Sequence, residues 1–345
     1  MINIGLIGAG NISDTHARAA AALSGVRVAA VFAPTRAHAE QLAARHGAVA
    51  YDTLDGLLRH QPLDMVAIGS PSGRHAEHGV AAVQRGLHAL VEKPIDTTTA
   101  RADRLIAEAR RADVTLGVMF QDRLKPDPQR MKRLIDAGRL GTPIVATAQV
   151  KWYRTPEYYR GSTWRGTRAL DGGGALMNQG VHTVDLLLWL FGPVRRVFGR
   201  TAARLHAIEV EDTAIATLEF QNGALGTIEA TTAAYPGYSR RLELTGSEGT
   251  LVLDGDSLTA IDLRRPPAGE RPASPPAATA AASTPVVADA SAHQRLFEDF
   301  VRAVTTRTPP VCDGPEGRRS VALIEAVYES ARLDRPIDVV DVVDA

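Results

Sequence analysis

Over the first 120 or so residues, short aliphatic runs alternate with longer stretches whose apolar positions recur at helical spacing. Ile4–Ile7, Val26–Phe32, Met65–Gly69, Ala89–Glu92 and Val114–Phe120 are short, rich in Val, Ile and Leu, and bounded by turn residues, the pattern of buried strands. Between them, Asp14–Leu23, Arg36–His46, Leu54–His60, Arg74–Arg85 and Ala100–Arg111 carry the helical period. This alternation predicts right-handed βαβ units and a parallel sheet covered on both faces. A doubly wound α/β domain is expected over residues 1–121.

The rhythm changes after Gln121. Pro126 and Pro128 read as chain breaks, followed by a helix over Gln129–Ala137 and a loop at Arg139–Pro143. Longer strand-like runs then dominate, at Ile144–Tyr153, Arg195–Ala203, Thr213–Phe220, Ala224–Thr231, Arg240–Thr245 and Gly249–Leu253. Asn222-Gly223 between two of them signals a two-residue hairpin, because both residues tolerate positive φ. The expectation for residues 122–345 is an α+β domain with a large, open, mainly antiparallel sheet. An open sheet face is commonly covered by another subunit, so a homodimer or homotetramer is expected. Residues 264–292, with six prolines among Ala, Ser and Thr, read as a surface loop before two closing helices, Ala292–Thr305 and Gly317–Arg332.

Composition narrows the function. The 345 residues carry 39 basic and 39 acidic side chains, against the net basic face of a nucleic-acid protein. A single cysteine, Cys312, excludes an internal disulfide and a zinc cluster built on several thiolates. No His/Asp/Glu grouping has metal-ligand spacing, so no metal is expected. The opening residues contain no leader pattern, and the densest apolar run, Val184–Phe191, falls far short of the roughly 20 residues of a membrane span. A cytoplasmic location is expected.

Gly8-Ala9-Gly10-Asn11-Ile12-Ser13 lies between the first strand and the first helix. In a dinucleotide-binding fold the first glycine makes the tight turn, the second lets the backbone approach the pyrophosphate, and the helix N-terminus supplies N–H groups. Ser13 stands where a third glycine is usual. The second strand runs into Ala33-Pro34-Thr35-Arg36 without the acid that binds a ribose 2′-OH, so a 2′-phosphate, and NADP rather than NAD, is favoured. The alternative is that Arg36 only begins a solvated helix. Ser70-Pro71 and His75 follow the third strand, and Glu92-Lys93-Pro94 follows the fourth, at the carboxyl edge where such folds keep their ligands. A lysine there can polarise a substrate oxygen.

Farther on, Trp164-Arg165-Gly166 precedes Asp171-Gly172-Gly173-Gly174 and a helical run bearing Asn178, Gln179, His182 and Asp185. Three consecutive glycines suggest close approach of a ligand. Asn178 and His182 share a helical face, and Asp185 lies three residues beyond His182, which suits an oriented general base. The alternative is a hydrogen-bonded core histidine. Arg154, Arg160, Arg165 and Arg168 cluster with Trp152, Tyr153, Tyr158, Tyr159 and Trp164, a combination suited to a sugar ring carrying an anionic group.

In this order, the glycine turn with His16, Glu92-Lys93-Pro94, and Gly172–Gly174 through His182 and Asp185 resemble the glucose–fructose oxidoreductase/inositol dehydrogenase/rhizopine catabolism (Gfo/Idh/MocA) family. The resemblance implies an N-terminal Rossmann domain, an oligomer-forming C-terminal sheet, and NAD(P)-linked oxidation or reduction of a sugar, cyclitol or sugar-acid derivative. It implies that Lys93 touches both the nicotinamide ribose and the reacting oxygen, and that His182 is catalytic. Many members carry Asp where this chain has Asn178; Asp185 is the candidate to share that role. The implied cofactor contacts are Gly8, Gly10, Asn11, Ile12, Thr35, Arg36, Ser70, Pro71, His75, Glu92, Lys93, Gln121, Trp164 and Arg165. Those to substrate are Lys93, Arg123, Tyr153, Arg165, Asn178, Gln179 and His182. The stretch from Trp152 to Tyr159 is similar to members that oxidise nucleotide-linked sugar acids at C3. Two other activities occur among relatives of this kind: redox-assisted glycoside cleavage and non-catalytic regulation of sugar pathways.

Overall fold

The computed structural model describes residues 1–267, 269, 271 and 290–340. It divides into two compact units, the first holding Met1–Gln121 and a later stretch ending at Arg318, the second the remainder. The chain therefore returns to its first unit, unlike a single cut after Gln121. The reason is apolar packing: helix Ser291–Thr306 buries Leu296, Phe297 and Phe300 and lies against helix Asn11–Ala21. Most of the Pro/Ala-rich 264–292 stretch lies outside the described residues.

In the first unit six parallel strands, β1 (Ile2–Ile7), β2 (Val26–Phe32), β3 (Val49–Tyr51), β4 (Met65–Ile68), β5 (His88–Val91) and β6 (Leu116–Val118), run in the order β3-β2-β1-β4-β5-β6. Strands β4 and β6 are wholly buried, as a sheet flanked by helices requires. The order reverses between β1 and β4, so the loops leaving these two strands flank the topological switch point. Strand β3 went unforeseen because three half-exposed edge residues carry no period. This is the Rossmann arrangement.

The second unit has an eight-stranded mixed sheet of β7 (Pro143–Lys151), β8 (Val194–Ala202), β9 (Thr213–Phe220), β10 (Leu225–Thr231), β11 (Arg241–Gly246), β12 (Gly249–Asp254), β13 (Ser257–Leu263) and β14 (Ile337–Asp338). Its order is β13-β12-β11-β7-β10-β9-β8-β14; β7 and β10 pair in parallel and the other neighbours are antiparallel. Ala146, Ala148 and Val150 of β7 are buried, on the face that packs against helix Val181–Phe191. The other face carries exposed Val145, Ile215 and Leu225 among threonines and charges.

Two local expectations change. Pro126 and Pro128 lie in the first turn of helix Pro126–Asp136, where a missing N–H costs nothing, so they start the helix rather than break the chain. The β9–β10 hairpin has a three-residue loop, since Phe220 N donates to Ala224 O, and Gly223 alone takes positive φ, +88°. Among the described residues no helix is long and apolar enough to cross a membrane.

Candidate functional site

The turn after β1 uses its two glycines differently. Gly8 has φ +118°, and a Cβ there would lie 2.7 Å from Gly69 O, so the fold itself demands glycine. A Cβ on Gly10 would meet nothing within 4 Å, so the bare backbone at the start of helix Asn11–Ala21 faces open space. No side chain caps that helix, which leaves its first-turn amides available to an anion. Among the described residues, buried Ser13 Oγ and Gln121 Oε1 have no hydrogen-bond partner. Ile12 lies against Gly69, and Asn11 is exposed at the helix start. Open backbone, uncapped amides and the Ser13 hydroxyl fit the pyrophosphate of a dinucleotide.

Thr35 is extended at the start of the second helix and caps nothing with its side chain. Arg36 is exposed, donates from Nε to Glu40 at 2.8 Å and lies 3.5 Å from Asp52. The Glu40 hydrogen bond and the charges of Glu40 and Asp52 raise its pKa. With two carboxylates already around it, Arg36 gives no support to the expected 2′-phosphate preference.

The loops after β4 and β5 are tied together by His75. Its buried ring sits between Ser70 O, at 2.8 Å, and Pro94 O, at 2.7 Å, and Lys93–Pro94 is cis. Pro71 precedes the short turn Ser72–Arg74, and Ser70 Oγ lies 3.0 Å from His78 Nδ1. Burial pushes the His78 imidazole down to about 4, so it is neutral at pH 7.

Glu92 turns inward. Its Oε1 lies 2.9 Å from Nε2 of fully buried His16, and its Oε2 accepts from the Lys93 amide at 3.0 Å. Burial alone would raise its pKa; the His16 hydrogen bond and the charges of His16, Lys93 and His293 win, holding it at about 2. His16, Glu92 and His293 bring ligand-type atoms within 4.8 Å of one another, a grouping that sequence spacing hid. Since Glu92 already accepts from His16 and the Lys93 amide, the cluster reads as a hydrogen-bonded base for the Lys93 loop rather than as direct contact with a cofactor.

In the second unit, Ala175–Gly180 is a π-helix that runs into helix Val181–Phe191, where a continuous α-helix was expected. Glu211 holds its entrance, accepting from Gly174 N at 2.9 Å, Leu176 N at 2.8 Å and Tyr328 Oη at 2.8 Å. Burial raises the Glu211 pKa against those hydrogen bonds. This packing accounts for Gly173 and Gly174, while Gly172 takes φ +75°. A Cβ on Gly173 would lie 2.2 Å from Tyr328 Oη, and one on Gly174 would lie 1.8 Å from Glu211 O.

The π-turn presents Asn178 and Gln179. Asn178 Nδ2 donates to Asp171, and its Oδ1 accepts from Gln179 Nε2 at 3.0 Å. Gln179 also donates to Tyr158 Oη at 3.0 Å and accepts from Arg154 Nη2 at 3.0 Å. The Arg165 guanidinium stacks 4.5 Å from the Tyr158 ring centre and 5.3 Å from that of Trp164. Tyr153 packs edge-on against Tyr235. The fold thus gathers Arg154, Tyr158, Arg165, Asn178 and Gln179 into one polar and aromatic patch.

Two roles drawn from the sequence look different here. Arg123 and Asp185 are both buried and form a two-point ion pair at 2.9 and 2.7 Å, with Trp189 beside the guanidinium. Neither is placed to meet a sugar, because each neutralises the other's buried charge. A carboxylate near His182 is one the sequence did not reveal: Asp122 Oδ2 lies 3.7 Å from His182 Nδ1. Asp122 also pairs with Arg240 and, at 2.6 Å, with Lys125. Burial would raise its pKa, but the charges of Arg240, Lys125 and His182 hold it well below the usual carboxylate range.

Comparison with known proteins agrees with this geometry. Residues 2–120 match the oxidoreductase family with an NAD-binding Rossmann fold, and residues 129–252 match the GFO/IDH/MocA C-terminal domain. The WlbA dehydrogenase from Bordetella pertussis, crystallised with NADH and UDP-GlcNAcA, superimposes with a TM-score of 0.89 at 30% identity, covering 98% of this chain and 97% of that one. Inositol 2-dehydrogenase 2 of Saccharopolyspora erythraea is 32% identical over 73% of each chain. D-apiose dehydrogenase of Paraburkholderia graminis is 28% identical over 96% of this chain and 88% of its own. The chain belongs to the GFO/IDH/MocA family of NAD-binding oxidoreductases.

Proposed function

We propose that the protein is an NAD(H)-dependent dehydrogenase or reductase acting on a secondary alcohol or ketone of a sugar derivative, with an anionic sugar, such as a nucleotide-linked sugar acid, as the favoured substrate. The observation that carries the reading is His182, with a carboxylate oxygen 3.7 Å from its Nδ1 and a preceding π-turn whose polar side chains hydrogen-bond one another. Bound NAD supplies the hydride acceptor or donor. Gly10 and the first-turn amides of helix Asn11–Ala21 would hold its pyrophosphate.

In the oxidative direction His182 takes the substrate hydroxyl proton at Nε2 while Nδ1 faces Asp122. Lys93 is assigned, on the family resemblance, a hydrogen bond from Nζ to a substrate oxygen, which favours its alkoxide character. The glycine turn, rigid by its own packing, fixes where Asn178 and Gln179 stand, and they hold neighbouring hydroxyls. Arg165, stacked on two aromatic rings, takes a carboxylate or phosphate. The relatives crystallised with UDP-GlcNAcA support the anionic class, as does the paired presence of Arg154 and Arg165.

NADH formation from NAD⁺ with a panel of UDP-linked sugar acids, free sugars and inositols tests the reading. Turnover concentrated among the anionic sugars, with KM raised by Arg165→Gln for these alone, is expected. Turnover of neutral cyclitols only would overturn the substrate class.

A further inference from the structure

We infer that Asp122 is the positioning carboxylate of His182, approaching Nδ1 from the first turn after Gln121 while position 178 holds a neutral amide. The inference rests on the reading of His182 as the group that handles the hydroxyl proton.

The charged groups around the imidazole can be followed element by element. On its own helix, Asp185 lies three residues on and is occupied by Arg123. On the preceding π-turn, Asn178 is uncharged and bonded to Asp171 and Gln179. From the segment before helix Pro126–Asp136 comes Asp122, 3.7 Å from Nδ1. Behind Asp122 stand Lys125 and Arg240, and behind these Asp256, which pairs with Lys125 at 2.8 Å and with Arg240 at 2.5 Å. Two carboxylates and two cations balance in this group. The member that reaches the imidazole is a carboxylate, and it favours the imidazolium.

Asp122 is also in place beforehand. It is 4% exposed, and its two cationic partners keep it ionised and fixed, so no side chain must reorganise when the imidazole gains a proton. A purely structural ion pair would hold the same helix and loop together without any effect on the imidazole, and this is the difference an experiment can read.

The test is an NMR titration of the imidazole of His182 in the full-length protein, identified by the signal lost in His182→Gln, together with the pH profile of kcat/KM. Asp122→Asn removes the carboxylate and should move the His182 midpoint to lower pH by roughly half a unit or more. The rising limb of the oxidative profile should move with it. Lys125→Gln, at a partly exposed side chain, removes a cation from Asp122 and should move the midpoint to higher pH. Unchanged midpoints in both variants would overturn the assignment. If the midpoints move as expected but no sugar is oxidised, the coupling stands and the dehydrogenase reading fails.

Discussion

His16 and Glu92, 76 residues apart, meet at 2.9 Å in the interior of the first unit, and the other Glu92 oxygen accepts from the Lys93 amide. A carboxylate held at about 2 thus anchors the backbone of the lysine assigned to polarise the substrate oxygen. The folded pKa lies below the ordinary value, so the stabilisation is present above about 4.5 and is lost as pH falls toward about 2. At neutral pH it is on the order of 3 kcal/mol. Glu92→Gln should lower the melting temperature at pH 7 and narrow its difference from wild type as the pH falls below 4.5, which thermal unfolding across pH would show. A difference independent of pH would mean that shape, not charge, makes the contact.

The two glycines of the first turn should separate stability from binding. Gly10→Ala meets no protein atom and should leave the melting temperature within a degree or two, yet weaken NADH binding by about tenfold or more because its methyl group intrudes where the pyrophosphate approaches. Gly8→Ala should destabilise the protein itself, since it combines a strained φ with a backbone clash. Equal NADH affinity in Gly10→Ala and wild type would remove the pyrophosphate from this turn.

Because Arg36 is engaged by Glu40 and Asp52, Arg36→Ala should change NADH and NADPH affinity by similar, small factors. Fluorescence titrations of both cofactors at matched salt measure this. A selective loss of NADPH binding would restore the 2′-phosphate reading.

Lys93→Ala should reduce turnover by about 10²–10⁴-fold while its melting temperature stays near that of wild type, since its side chain is partly exposed. Near-normal turnover would remove Lys93 from the chemistry.

The parts that were legible in the sequence are those written locally. Gly8, Gly10 and Lys93 stand at strand ends, where the strand–turn–helix pattern assigns positions without further information. His182 stood out through its polar neighbours on one helical run. The supporting groups were illegible because their partners are distant in sequence: Arg240 reaches Asp122 across 118 positions, and Glu211 reaches Gly174 across 37. Asp185 was a persuasive candidate by spacing alone, and the spacing could not show that buried Arg123 would claim it. The π-turn was read as an ordinary helix because no residue pattern announces an extra residue per turn; the demand comes from Glu211 and Tyr328 packed against the glycines.

We propose that this chain moves a hydride between NAD and a sugar carbinol with His182 as the proton acceptor. The most direct test follows NADH absorbance on mixing the purified protein with NAD⁺ and a UDP-linked sugar acid, for wild type and for His182→Asn. NADH should form with wild type, and the variant should bind NADH normally yet turn over about 10²–10⁴-fold more slowly. Equal turnover by the two proteins would contradict the account.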